Sequence, residues 1–462
     1  MPRLTPTRRF RRPGLVPALP RPAWIVLGGD FASAVGSGLT LPFLFVYAHQ
    51  VRHLPDAVAG LVVATIALAS LAGNPIGGAL ADRWTPRRAL MAGLAVAAAG
   101  SAAVAVARTA PELFAAAALL GLGVSVAWPA QDALLASLAG PARRSAVFAV
   151  RHATFNAGLG LGALAAAVVV SATHPATFTA IYLADAATFL AFIPVLARLR
   201  PAPPPPPQPQ NSQPAAAPAK TGYRQVLRDK AFVRVWLLTA ALVTIGFGQS
   251  QASFTGYATR LGGIGPHGLA VAFAANTLTV VTAQLLILRW LAGRRRTTAA
   301  ALAATAWAAS WATVIAAGHL GNGLAAQAAF AAAMIIFALG ECLLSPTLPA
   351  IINDLAPPEA AGRYNGLGVL AYTTGFLAGP AVGGVLLGAG WGTGLFTGLT
   401  VACAASAAAA HRLHRHLPAT ANLIPPPDAA HSPPSPGHSA GHGDRPGNIH
   451  DQPDGVHHTV TA

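Results

Sequence analysis

Acidic residues, lysine and cysteine are all scarce in this chain of 462 residues. Aspartate and glutamate together number 14, and lysine occurs twice beside 28 arginines. The two cysteines, Cys342 and Cys403, lie within long apolar runs, so the sequence predicts neither a disulfide framework nor a metal site. It also contains no phosphate-binding loop of the form G-x-x-x-x-G-K-[ST] and no hydrolase signature. We therefore expect neither an ATP-driven machine nor an enzyme, and no cofactor.

Long apolar segments are what the sequence has in abundance. It is 54% hydrophobic, and its mean hydropathy is +0.52. A run of about 20 apolar residues is long enough to cross the hydrocarbon core of a bilayer. We predict an all-α integral membrane protein with twelve such segments, called spans 1 to 12 in chain order: 23–47, 57–81, 89–107, 112–138, 146–172, 177–197, 232–258, 268–291, 297–318, 323–351, 364–389 and 392–410.

The positions of the basic residues predict the orientation in the membrane. The formal net charge of +16 would suggest a nucleic-acid partner in a soluble chain. Here Arg52, Arg108 and Arg260 lie in one set of alternating loops and Arg151 lies inside a span, whereas the other 26 basic residues lie at the opposite loops and the termini. Because basic loops stay inside, we expect both termini in the cytoplasm of a bacterial cell, a multi-pass protein of its cytoplasmic membrane, and no nucleic-acid partner.

Changes in composition divide the chain into segments. The central linker contains nine prolines between positions 201 and 219, which favours extended polyproline structure. Residues 418–462 are rich in proline and contain six histidines, a composition typical of disorder. The predicted segments are a basic cytoplasmic N-terminus (1–22), a six-helix bundle (23–200), the cytoplasmic linker (201–231), a second six-helix bundle (232–411) and a disordered cytoplasmic tail (412–462).

The two bundles resemble each other in sequence. Pro129 aligns with Pro346, and Ser137 aligns with Asp354, each pair 217 residues apart. A parallel duplication of six-helix units is one architecture of secondary transporters, whose substrate site lies between the repeats near the middle of the bilayer. The repeat therefore favours transport over a receptor or a structural role.

The turn between spans 2 and 3 reads GGALADRWTPRR, from residue 77 to residue 88. With six plus six helices and a central linker, it resembles the major facilitator superfamily, whose signature in this loop is approximately G-x-L-A-D-R-x-G-(P)-R-R. The resemblance implies a twelve-helix membrane transporter that acts as a monomer. Thr85 stands where the family has glycine. The matching residues are Gly78, Leu80, Ala81, Asp82, Arg83, Arg87 and Arg88.

The resemblance also implies a cytoplasmic gate. In the family, the aspartate of the turn holds the two halves together near the start of span 11 when the transporter faces outward. Glycine runs from Asn156 and from Gly375 resemble a signature of exporters in the superfamily. The alternative is plain topology, a loop that is basic only to orient the chain. The expected gate residues are Gly78, Asp82, Arg83, Arg87, Arg88, Asp354 and Arg363.

Four acidic residues lie inside predicted spans. A charge at the centre of a span costs about 3 kcal/mol on insertion scales, so such residues usually face a cavity or a partner. Asp30, Asp132 and Glu341 lie on spans 1, 4 and 10 respectively. In the family, spans 1, 4, 7 and 10 line the cavity. We expect these three to be candidates for proton coupling, whereas Asp185 on span 6 is predicted to be structural.

Two further expectations concern these acids. Asp132 and Arg151 lie near the cytoplasmic ends of adjacent spans and are expected to pair, either as a structural ion pair or as part of a protonation site. Glu341 has no obvious basic partner in the membrane. Polar and aromatic residues on spans 4 and 7 are candidate cavity walls or, alternatively, helix-packing contacts: Trp128, Gln131, Gln249, Gln251 and Tyr257.

The leading hypothesis is a secondary active transporter that exports a small amphipathic molecule by proton exchange through Glu341 and Asp30. Its expected partners are the lipid bilayer, the small-molecule substrate and protons. One alternative is uptake of a nutrient by symport or facilitated diffusion. Another is a non-transporting sensor or partner-binding membrane protein that works through its linker and tail.

Overall fold

The computed structural model describes residues 16–170, 174–199, 222–321 and 323–425, and helices account for every long element in these ranges. Spans 1 to 6 are the helices Arg21–Thr40, Asp56–Arg83, Pro86–Val106, Ala110–Ala139, Arg144–Val169 and Pro175–Ala197. Spans 7 to 12 are Lys230–Ile245 with Phe247–Arg260, Pro266–Trp290, Arg296–Gly318, Leu324–Leu344 with Leu348–Leu355, Ala361–Gly388 and Gly392–Leu413. The short elements are Leu41–Phe43, Leu44–Val46, Tyr47–Val51, Pro141–Arg143, Tyr223–Val226, Pro358–Ala360, His414–His416 and Ala419–Asn422.

Local sequence signals explain where several helices begin and end. At span 4, Thr109 and Glu112 form a capping box, in which each side chain accepts from the backbone of the other residue. At span 7, the Asp229 carboxylate accepts from the first free backbone amides of the helix. Gly140, with φ of +71°, ends span 4 in a backbone conformation that favours glycine.

Eleven of the described helical stretches are long and apolar enough to cross a membrane. Span 5, the helix Arg144–Val169, is not counted among these eleven, and one of its side chains, that of Ala167, lies outside the described residues. It packs along span 1 and along span 8, as a helix of the bundle does.

The packing of the helices repeats between the two halves. Four pairs of spans pack against each other in the first half: 1 with 5, 2 with 4, 3 with 4, and 3 with 6. The equivalent pairs in the second half also pack together: 7 with 11, 8 with 10, 9 with 10, and 9 with 12. The halves meet through two equivalent pairs, span 2 with span 11 and span 5 with span 8. The predicted architecture of two six-helix repeats is therefore confirmed.

Two spans of the second half are interrupted. Span 7 breaks at Gly246, where a β-carbon would lie 2.3 Å from the ring of Trp307, so the chain needs glycine there. Span 10 breaks at Ser345–Thr347, around Pro346, which lacks the amide proton that would continue the helix. Its repeat counterpart Pro129 stays inside one continuous helix, so the interruption of span 10 is not a property of proline alone.

The structure differs from the predicted segment boundaries on both sides of the second half. The predicted linker contains an ordered turn in which the Tyr223 hydroxyl donates to the carbonyl of Pro75 on span 2. Burial raises the pKa of Tyr223 to about 12, so the hydroxyl remains a donor at neutral pH. Span 12 continues past the predicted start of the tail to Leu413, and a segment of residues 418–425, here called the C-terminal strap, packs against the bundle. The rest of the linker and tail lies outside the described residues.

Candidate functional site

The Asp82 carboxylate joins the two halves at one end of the bundle. It accepts hydrogen bonds from the backbone amides of Gly362 and Arg363, the latter at 3.0 Å. It also forms an ion pair with the Arg363 guanidinium at 2.9 Å. Unpaired amides at a helix N-terminus favour negative charge, and span 11 begins here. We call this end, which carries Arg83, Arg144 and Arg296 as well, the arginine-rich face.

Gly78 makes this contact possible. A β-carbon at Gly78 would lie 2.4 Å from the Gly362 carbonyl oxygen, and one at Gly362 would lie 2.3 Å from the Gly78 oxygen. Spans 2 and 11 therefore cross backbone to backbone, as small residues allow in membranes. The crossing brings Asp82, one turn after Gly78, within reach of the start of span 11.

A second connection closes the same face. Asp354, at the end of span 10, pairs with Arg144 of the first half and with Arg296 of the second. Arg144 also donates to the Asn353 carbonyl at 2.8 Å, and the Arg296 Nε donates to the Ser145 hydroxyl at 3.1 Å. One carboxylate is thus shared by two arginines from opposite halves. Ser137, its repeat counterpart in the first half, donates to the Leu134 carbonyl of its own helix at 2.7 Å.

The other signature residues lie beside these connections. The Arg83 and Arg88 side chains are exposed, and Arg87 donates to the carbonyl of Leu199 at the end of span 6. Thr85 has φ of −170°, and its hydroxyl accepts from the amide of Arg88 at 3.2 Å. The turn therefore uses threonine as the N-cap of span 3 and needs no glycine at this position.

A cavity of about 250 Å³ lies between the halves. Its walls come from spans 2, 4, 5, 7, 10 and 11, so spans outside the family expectation contribute as well. Polar groups at its surface include the Asn74 amide, which donates to the Thr373 hydroxyl of the opposite half at 2.6 Å. The wall includes six aromatic side chains: Trp128, Phe148, Phe155, Phe247, Tyr372 and Phe376.

Arg151 is the centre of a buried ion triad at the cavity. Its guanidinium pairs with Asp132, lies 3.3 Å from the Asp30 carboxylate, and stacks 5.2 Å from the ring of Trp128. The side chains of Arg151, Asp30 and Asp132 are each at most one tenth exposed. The expected pair of Asp132 and Arg151 is present, and the structure adds Asp30, which makes two carboxylates against one guanidinium.

Glu341 has a partner that the sequence did not indicate. Its carboxylate lies 3.7 Å from the Nε2 atom of His152, and the two residues belong to opposite halves. The expectation that Glu341 stands alone was therefore wrong. His152 directly follows Arg151 in the sequence, and a polar pair inside an otherwise apolar span was the signal that could have found it.

The candidate cavity walls divide into three groups. Trp128 lines the central cavity, and Gln131 lines a second cavity within the first half. Gln249 and Tyr257 are instead packing residues: the Gln249 amide donates to the Gly379 carbonyl at 2.9 Å, and Tyr257 packs on Phe396 in the aromatic core. For these two, the structure favours the second of the two alternatives, a helix-packing contact. The side chain of Gln251 lies outside the described residues.

A duplicated six-helix bundle that is tied together at one face, with a cavity between its halves, defines a transporter of the alternating-access class. The chain matches the family model of the Major Facilitator Superfamily over residues 26–262 and 258–443. It belongs to this family.

Known proteins similar to this chain agree with that membership. The transporter YttB of Bacillus subtilis is 26% identical over 80% of this chain and 89% of its own length. The multidrug resistance protein MdtH of Klebsiella pneumoniae is 27% identical over 69% of this chain and 74% of its own length. A bacterial homologue of the iron transporter ferroportin, solved facing outward, has the same fold with a TM-score of 0.67 at 16% identity, and it covers 86% of this chain and 100% of its own. The protein is therefore a multi-pass membrane transporter.

Proposed function

We propose that this transporter exports a small amphipathic molecule across the cytoplasmic membrane of a bacterial cell in exchange for protons. The arginine-rich face is the cytoplasmic one, since basic loops stay inside. With that face tied shut, the present arrangement is the outward-facing half of the cycle. Export is further supported by the similarity to a protein named for multidrug resistance.

The pair of Glu341 and His152 carries the proposal. It joins the halves beside the cavity, so the rocking motion that opens the arginine-rich face also separates the carboxylate from its partner. In the present arrangement the pair holds one proton between the carboxylate and the imidazole, and this proton passes to water on the cytoplasmic side when the two part, as exchange against an exported substrate requires. Alternating access and proton binding are thereby linked through one contact.

The charge balance around the cavity bears on the substrate. Asp30, Asp132 and Glu341 supply three carboxylates, whereas Arg151 supplies one permanent positive charge. The aromatic wall suits an apolar body, and the surplus of carboxylates suits a cationic group on it. An amphipathic cation is therefore the substrate class that we propose, with Glu341 exchanging protons against it.

The test is transport in proteoliposomes with ethidium as the probe. With an imposed pH gradient of one unit as the driving force, we expect Glu341→Gln to lower ethidium accumulation by about tenfold, because one exchanged proton no longer contributes about 1.4 kcal/mol per pH unit. Glu359→Gln, the same substitution at an exposed position before span 11, is the matched control and should leave accumulation unchanged. Full gradient-driven accumulation by the Glu341 variant would contradict proton exchange at this residue. If ethidium moves in the same direction as the protons, symport is favoured instead.

A further inference from the structure

A second cavity lies entirely within the first half. It has a volume of about 130 Å³ and shares Trp128, Arg151 and Phe155 with the central cavity. Asp30 lines it beside the ion triad, and Asp185 of span 6 lines it as well. A buried space thus lies between the acidic residue at the substrate cavity and an acidic residue that the proposed function leaves without a role.

The polar face of span 1 forms one wall of this cavity. Ser33, Ser37 and Thr40 follow Asp30 at intervals of three or four residues, so they lie on one side of the helix. The three hydroxyls line the cavity between Asp30 and Asp185.

Three polar atoms in this cavity have no hydrogen-bond partner among the described residues. They are the Ser33 hydroxyl, the Gln131 amide nitrogen and the Oδ1 atom of Asp185. The three residues are 8%, 5% and 1% exposed, so bulk solvent does not satisfy these atoms. Buried polar groups in a polar space of this size are satisfied by water, and the cavity has room for several molecules.

The other oxygen of Asp185 has a shell of hydroxyls that suits two protonation states. Ser101 donates to Oδ2 at 2.8 Å and Thr40 lies 3.4 Å from it. The Ser101 hydroxyl also lies 2.9 Å from the carbonyl oxygen of Tyr182, and the Thr40 hydroxyl lies 3.3 Å from the carbonyl oxygen of Ser37. A charged Asp185 attracts both hydroxyl protons, whereas a neutral Asp185 releases them to the carbonyls, so neither state leaves a donor unsatisfied.

No positive charge neutralises Asp185 directly in the part of the chain that the structure describes. A buried carboxylate without a cation is costly unless it takes up a proton. The groups that face it on spans 3 and 1 are the neutral hydroxyls of Ser101 and Thr40. The ionisable groups along the cavity and on the helix of Asp185 itself are Asp30, Arg151 and Tyr182.

We infer that Asp185 is a proton-binding carboxyl and that the second cavity is its water-filled connection to Asp30. A proton carried by the cavity water binds to Oδ1, which leaves a neutral acid and a water molecule. On release it returns to the cavity water and reaches the ion triad at Asp30. The role of this proton in transport rests on the proposed function, whereas its binding to Asp185 does not.

Infrared difference spectroscopy of the purified protein tests the binding. As the pH is raised, the wild type should lose the C=O band of a buried protonated carboxyl, and Asp185→Asn should lack that band at every pH. Glu359→Gln should keep it, and so should Glu341→Gln, which separates this inference from the proposed function. Ser101→Ala retains the carboxyl but removes one donor, so its band should shift in frequency. If Asp185→Asn does not fold, this shift of the band in Ser101→Ala tests the inference instead.

Two results would overturn the inference. One is a wild-type spectrum from which Asp185→Asn removes no protonated-carboxyl band. The other is a band that disappears when sodium replaces choline at constant pH, because the cavity would then bind an alkali cation. In proteoliposomes we expect Asp185→Asn to lower ethidium accumulation driven by a pH gradient while equilibrium binding of ethidium stays unchanged. Loss of the infrared band with unchanged accumulation would confine Asp185 to proton binding outside the transport cycle.

Discussion

At the scale of single residues, the gate depends on how closely two backbones approach. The Gly78 and Gly362 positions leave no space for a β-carbon on either side, and the atoms in the way are backbone oxygens. Backbone of a packed helix cannot move aside without moving the helix. The Asp82 contact with span 11 is therefore sensitive to a change of one methyl group three to four residues away.

We expect Gly78→Ala to open the arginine-rich face. Overpacking costs about 1 to 3 kcal/mol, which corresponds to roughly a tenfold shift between closed and open arrangements. A Ser345→Cys reporter in the cavity wall, labelled by an impermeant maleimide from the arginine-rich face, should react about tenfold faster in the Gly78 variant.

The control lies on the same helix. A β-carbon at Gly60 would meet no atom within 4 Å, so Gly60→Ala should leave the labelling rate unchanged. The two native cysteines are fully buried and contribute little background. Equal labelling rates for the two alanine variants would show that close approach at Gly78 does not hold the face shut.

At the scale of secondary-structure elements, the C-terminal strap joins the gate to the end of the bundle. The Asn422 side chain accepts from the amide of Thr297 at 3.0 Å and so caps span 9. The carbonyl of Ala421 accepts from Arg296 at 2.8 Å, and Ile424 exchanges two backbone hydrogen bonds with the turn before span 9. Arg296 is fully buried and also pairs with Asp354. The strap therefore supplies a further hydrogen-bond acceptor to the arginine that binds Asp354.

We expect deletion of residues 418–462 to lower the thermal stability of the protein and deletion of residues 426–462 to leave it unchanged. Loss of the cap alone costs about 1 kcal/mol, and the Arg296 guanidinium loses an acceptor in addition. Unfolding of the purified protein in detergent, followed by intrinsic tryptophan fluorescence, gives the two midpoints. Asn422→Ala should reproduce part of the loss. Identical midpoints for both deletions would mean that the strap contributes nothing to stability.

At the scale of the whole molecule, the two halves are held by two distinct connections at one face. Asp82 binds the start of span 11, and Asp354 binds Arg144 across the interface while it neutralises Arg296. In the first connection span 2 supplies the acidic residue and the start of span 11 supplies the arginine. In the second, span 10 supplies the acidic residue and the start of span 5 supplies the arginine that crosses between the halves. The arginines occupy equivalent positions in the two halves, whereas the acidic residues come from non-equivalent spans.

We expect the effects of breaking the two connections to add in free energy. Asp82→Asn removes charge-assisted hydrogen bonds worth about 1.5 to 3 kcal/mol, and Asp354→Asn leaves two arginines without their counter-charge. With the Ser345→Cys reporter, each variant should speed labelling from the arginine-rich face, and the double variant should multiply the two factors. Glu359→Gln again serves as the control. A double variant no faster than Asp82→Asn alone would mean that Asp354 does not hold the halves together.

Much of the architecture could be predicted from the sequence because apolar length, charge asymmetry and repetition are written along the chain. Hydropathy predicts helices of membrane-spanning length, and the repeat predicts two bundles that pack alike. Asp82 and Gly78 could also be selected, since their motif lies within one turn. The polar residues of span 5 show the opposite case, because the partners of Arg151 and His152 come from spans 1, 4 and 10 and are known only once those spans lie beside them.

The sequence by itself determined which residues cross the membrane, how often, and which loops carry the positive charge, because these depend on local transfer free energies. Only the tertiary structure decided that His152 faces Glu341, that Asp30 joins the Arg151 triad, and that Tyr257 belongs to the core. Pairings between spans hundreds of residues apart depend on the rotation of each helix about its axis. That rotation is fixed by the packing of all the helices together, so it cannot be predicted from the sequence of any single helix.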